Sequence, residues 1–225
     1  MKNTTIAVLV IAAASVFAAV ALAASNGKQS GSMPMGHAGM AMPSSGFGKA
    51  SDLRVKLDRL FGAHVTLAVN ATRRGVVGDK DFAASAATLD RNSVELADTI
   101  GAVYGKKARN QFLNGAFMWR AHIKFFVDYT VGLAKNDPAM RAKAVANLKT
   151  YVQRFGGFLA KATGLPASAV RQDLTIHVGE LKGQIDAYAK KNYKQAYAIE
   201  QDAYNHMFMT GDTLARAIAK QKGLS

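Results

Sequence analysis

One histidine recurs three times along the chain, in LFGAHVTL (His64), WRAHIKFF (His122) and LTIHVGEL (His177). Fifteen residues beyond each lies a helix-starting type, Asp79, Asp137 and Asn192, and thirteen or fourteen further a second polar position, Asn92, Tyr151 and His206. Ile100, Leu159 and Leu214 each follow that second position by eight. A spacing held at several kinds of position reads as a threefold internal repeat, each unit a helical hairpin. If three equivalent hairpins close on one another, His64, His122 and His177 converge at one height in the interior. Three imidazoles, with His206 as a fourth, suit zinc or copper, whose preferred ligands include neutral ring nitrogen. The competing reading is that each buried histidine is hydrogen-bonded to its own neighbour, Asn92, Tyr151 or His206, as a copied packing device. The geometry of the rings separates the two.

Groups able to support such a site are Glu180, three residues after His177, and Asp202, four before His206, each sharing its histidine's helical face. Asn92, Tyr151 and Met209 are further candidates. Asp58, six before His64, fits that pattern less well.

The elements that must position these residues follow from periodicity. Apolar residues step by three and four through Leu53, Leu57, Leu60, His64, Leu67 and Ala71, the stripe of a helix packed on a core. Similar stripes run from Phe112 through Trp119, His122 and Phe126 to Leu133, and from Val170 through Leu174, His177 and Leu181 to Tyr188. His206 lies in line with Ile199, Ala203, Thr210 and Leu214. Caps and breakers then divide the chain into six helices. The first runs from Ser51-Asp52 to about Arg74, the second from near Asp79 to Gly105 and the third over about 106–135. The fourth runs from Pro138 to Gly164, the fifth from Pro166 to about Lys190 and the sixth from Asn192 to about Lys222. The expected fold is all-α, a six-helix bundle of three antiparallel hairpins over about 51–105, 106–164 and 165–225.

Composition agrees. Of 225 residues, 49% are hydrophobic and only 4 are proline, enough apolar material for one helical domain with a true core. Cysteine is absent, which removes disulfides, thiolate metal sites and covalent haem attachment from consideration. Residues 1–23 read as a signal peptide: Lys2 precedes an apolar run from Ile6 to Leu22, and Ala21-Leu22-Ala23 is a small-residue cleavage signal. Export to the periplasm or beyond is therefore expected, with no membrane span once that segment is cut. The formal charge of +14 favours anionic envelope surfaces or acidic proteins as partners; nucleic acid is not expected for an exported chain.

Residues 24–50 lack periodicity and are rich in Gly, Ser, Met and Pro, the signature of a flexible tail. Within it, Met33, Met35, His37, Met40 and Met42 fall inside ten residues. Thioether sulfur is a soft ligand that favours Cu(I), and imidazole accepts either copper oxidation state. Residues 33–42 resemble the methionine- and histidine-rich segments of bacterial periplasmic copper-handling proteins. The resemblance covers those ten positions alone and implies copper contact by Met33, Met35, His37, Met40 and Met42.

Several chemistries are excluded. A di-iron carboxylate site needs two Glu-x-x-His pairs; the three glutamates, Glu95, Glu180 and Glu200, are followed at that spacing by Asp98, Gly183 and Ala203. Phosphate-cradling loops, the G-x-S-x-G elbow and H-E-x-x-H are missing. No catalytic set stands out, and no enzyme activity is expected. The sequence supports an exported binding, storage or delivery protein for a transition metal, copper first and zinc second. Its rival is a structural or interaction module of the cell envelope that binds no metal.

Overall fold

Helix ends in this chain are set by a few residues with special backbone needs. The computed structural model describes residues 49–225, and within them the chain is all-helical. The helices are α1 (Ala50–Val77), α2 (Phe82–Tyr104), α3 (Lys106–Leu113), α4 (Trp119–Ala134), α5 (Pro138–Thr163), α6 (Ala167–Ala189) and α7 (Tyr193–Lys222). The signal segment 1–23 and the Met/His-rich stretch lie outside the described residues. Asp137 caps α5 by accepting from the Met140 amide, with Pro138 at the first turn, and Asn192 caps α7 by accepting from the Gln195 amide. Both satisfy amides that have no partner within the helix. The equivalent Asp79 does not cap: α2 starts three residues later, at Phe82, after a turn in which the Asp79 carbonyl accepts from the Phe82 amide.

Seven helices appear where the periodicity suggests six, because the stretch 106–135 is two helices and not one. Asn114 takes up extended backbone and Gly115 a φ of 139°, a region open to glycine and strained for other residues. The apolar stripe runs through Phe112, Gly115 and Trp119 without interruption, so its spacing conceals the break. The interruption turns Trp119, 2% exposed, into the first residue of α4.

α1 is the helix the others share. It packs most extensively on α7, and also on α2, α4 and α6. Two glycines permit the close α1–α7 approach. A Cβ on Gly62 would come within 2.9 Å of the Tyr204 ring, and one on Gly211 within 2.8 Å of Asp58 Oδ1 and 3.1 Å of the Asp58 backbone. α4 packs on α5, α5 on α6 and α6 on α7, so the helices enclose an interior filled by Leu57, Leu60, Leu96, Leu148, Phe155 and Ile185 among others. Half-buried polar ties fix the relative positions of helices. Arg120 on α4 donates two bonds to Asp90 on α2, at 2.8 and 2.9 Å, a planar fork that resists rotation. Tyr129 on α4 donates to Asp186 on α6 at 2.6 Å. Among the described residues no helix is long and apolar enough to cross a membrane.

Candidate metal centre

Because α1 touches both α4 and α6, histidines on the facing stripes of these three helices must meet. His64, His122 and His177 are each 1% exposed. Their ring centroids are 5.5 Å (His64 to His122), 5.9 Å (His64 to His177) and 6.3 Å (His122 to His177) apart. One nitrogen from each lies within 4.8 Å of one nitrogen from each of the others. An equilateral triangle of that edge has its centre roughly 2.8 Å from each corner, so a shift of ~0.7 Å per ring reaches a metal–nitrogen bond of ~2.0–2.1 Å. The three rings together line a cavity of about 20 Å³, room for one atom the size of a water molecule or an ion.

The hydrogen bonds that the packing alternative requires are only partly made: Asn92 is within hydrogen-bonding influence of His64, but the Tyr151 hydroxyl is unpaired and His206 is bonded to Glu180 and Asp173 instead of His177. His64 Nδ1, His122 Nδ1 and both nitrogens of His177 are buried without a partner. Asn92 donates to the Leu60 carbonyl at 3.0 Å and leaves its own Oδ1 unpaired. Tyr151 stacks on His122, centroids 4.7 Å apart and planes 23° from parallel, with its hydroxyl unpaired. An orphaned buried nitrogen loses its hydration and gains nothing in return, a penalty of about 1–3 kcal/mol each. Four on three adjacent rings leave lone pairs and N–H groups that a bound group could satisfy.

Electrostatics keep these rings ready to coordinate. Burial pushes the pKa of His64 down to about 4, against the opposing effect of hydrogen bonding with the Asn92 side chain. Burial, then repulsion from His64 and His206, brings His177 down to about 3. His122 is driven well below the usual imidazole value by burial and by the other two rings. All three are neutral at pH 7, the form that binds metal, so no proton has to be displaced. Trp119 closes the site from one side, 4.8 Å from His64 and 4.7 Å from His122 between centroids.

No family model, curated protein or solved structure matches this chain. The geometry of its own residues therefore carries the functional reading.

His206 stands apart from the three. Its Nδ1 lies 2.8 Å from Glu180 and its Nε2 3.2 Å from Asp173, so both nitrogens are engaged. These carboxylates raise its pKa to about 9, the Asp173 bond first and against the opposing effect of burial. A doubly paired imidazolium has no lone pair to give a metal, and the expected fourth ligand is corrected accordingly. Glu180 is thereby occupied on α7's histidine and does not support His177. Asp202 is exposed. Met209, expected to share the His206 face, is 61% exposed, whereas Met207 is 2% exposed and lines a cavity with His177. Met33, Met35, His37, Met40 and Met42 lie outside the described residues.

Two contributors escaped the sequence reading. Asp173 sits one helical turn before His177 and lines the same cavity as that ring, while accepting from the Thr210 hydroxyl at 2.9 Å. An i, i+4 scan backwards from His177, and not only forwards, picks it out. Trp119 lies on the His122 stripe, three residues earlier, and reads there as ordinary core; the structure sets its ring against both His122 and His64.

Proposed function

We propose that this protein binds one transition-metal ion in its core through His64, His122 and His177, copper in the first place and zinc in the second, as a binding, storage or delivery protein. The observation that carries the reading is the convergence of three neutral, buried imidazoles, four of whose six ring nitrogens have no partner among the described residues. Three protein nitrogens leave a coordination position for a further donor, which suits a site that receives and passes on an ion. The methionines and histidine of residues 33–42 would collect copper and hand it inward, and the N-terminal signature supports export to the periplasm. On the same reading the helices are three copies of one hairpin, α1–α2, α3/α4–α5 and α6–α7, each delivering one histidine from the helix nearest the centre.

The test is calorimetric titration of the purified chain with Zn(II), Cu(II) and, under reducing conditions, Cu(I), with thermal melts alongside. One equivalent is expected to bind to the chain and to a variant lacking residues 24–50, and to be lost in His122→Ala and His64→Ala with their helical content intact. A ligand that binds only the folded form at 100 times its Kd adds about 2.7 kcal/mol to stability, so the melt must rise. Binding that disappears with residues 24–50 and ignores His122→Ala would sink the core site. An unchanged melt with every metal would leave a structural or interaction module of the envelope.

A further inference from the structure

A large cavity lies between α1, α2, α3, α5 and α7, on the α3 side of the histidines. Its volume is about 620 Å³, within the range of about 300–1,000 Å³ typical of small-molecule sites. The walls are almost wholly apolar, with Leu57, Leu96, Ile100, Phe158 and Ile218 from four different helices. At the rim stand the polar side chains of Gln111, Asn114 and Lys161, and among the described residues not one carboxylate lines the cavity. A second ammonium, on Lys222, sits 4.4 Å from the ring of Tyr104, another wall residue. A smaller cavity of about 210 Å³ shares the walls Phe61, Phe112, Leu159 and Leu214 with the first and continues inward to Trp119 and His177.

An apolar chamber of this size with a cationic, acid-free mouth selects for a molecule with matching halves. We infer that the chamber binds a single-chain amphiphile with an anionic head, a long-chain fatty acid being the simplest. The hydrocarbon chain lies along the apolar walls and its carboxylate meets Lys161 at the rim. Favourable burial of the chain is non-directional, so chain length sets affinity while the lysine orients the head. The terminal methyl reaches Phe61 and Phe112, whose rings lie 5.8 and 5.3 Å from Trp119. The break between α3 and α4 fits this role, since it places Gln111 and Asn114 at the mouth and Trp119 behind the inner wall. Fatty-acid binding in the chamber does not depend on a metal at the histidines, so it is measured in chelator.

Trp119 is the chain's one tryptophan, so its emission reports on the inner wall alone. The full chain, in chelator, is titrated with palmitic acid brominated near its methyl end, below the concentration at which the acid forms micelles. Saturable quenching of at least half the emission at one equivalent is expected, reversed by unbrominated palmitate. Ala108→Phe, which fills the chamber from α3, should weaken binding tenfold or more. Lys161→Glu should weaken the acid several-fold and leave the neutral methyl ester unaffected. Absence of saturable quenching in the parent chain, or quenching that is equal in Ala108→Phe with an unchanged helical spectrum, overturns the proposal. Equal affinity for acid and ester in the parent chain overturns the anionic head.

Discussion

Tyr151 shows how much the proposed metal centre would ask of individual residues. Its ring is completely buried and lies flat on His122, yet its hydroxyl has no hydrogen-bond partner. Burial drives the phenol's pKa well above its ordinary value, helped by the nearby Asp173 charge, so the group stays a neutral, unsatisfied donor. In the metal-free protein Tyr151→Phe should therefore be neutral or stabilising by ~1 kcal/mol, since it removes an unpaired polar atom and keeps the stack. If the hydroxyl donates to a group bound at the histidines, the same substitution weakens metal binding while raising the melting temperature of the apo form. Paired titrations and melts of Tyr151→Phe read both quantities. A loss of apo stability above ~1 kcal/mol would show that the hydroxyl already has a partner in solution, and the orphaned character of the site would be reduced with it.

At the scale of elements, two glycines with similar surroundings in sequence have opposite jobs. Gly211 on α7 faces Asp58 of α1 so closely that an added methyl would touch backbone, whereas Gly179 on α6 has nothing within 4 Å of that position. Gly211→Ala should cost about 1–3 kcal/mol by forcing α1 and α7 apart, and Gly179→Ala should gain ~0.5–1 kcal/mol by stiffening a helix interior. Chemical denaturation of the two variants decides it; equal effects would mean that α1 and α7 do not meet as closely as Gly211 implies. Contrasts of this kind also mark what sequence reveals. The stripes through His64, His122 and His177 put the right faces inward because a 3.6-residue period survives in any helix that buries one side. Caps at Asp137 and Asn192 were legible because capping chemistry is local. The α3–α4 break was not, since Gly115 occupies a position where the stripe tolerates any small residue. His206 was misplaced for a different reason: its stripe borders the core, and the carboxylates of Asp173 and Glu180, distant in sequence, hold it at the margin.

The molecule as a whole carries two opposed histidine populations, and its stability should record both. His64, His122 and His177 have folded pKa values depressed below 6.5, to about 4 for His64 and about 3 for His177. Between those values and 6.5 the unfolded chain binds more protons than the folded one, so stability falls as pH drops below 6.5. Each ring removes up to ~1.4 kcal/mol per pH unit in that window, and three together soon consume the ~5–15 kcal/mol that holds an ordinary domain. His206 acts in the other direction: its pKa is raised to about 9, so its contribution is complete below 6.5 and drains away as pH rises towards 9. The metal-free protein should therefore melt highest near pH 6.5, lose stability steeply on the acid side and decline more gently on the alkaline side. His206→Gln should lower the maximum and flatten the alkaline limb while leaving the acid limb in place, because the core rings that produce it are untouched. Melting temperatures by circular dichroism from pH 4.5 to 9.5, in chelator, follow both limbs. An acid limb that begins only below pH 4, where carboxylates titrate, would mean the three core imidazoles are not the neutral, sequestered set on which the proposed metal centre depends.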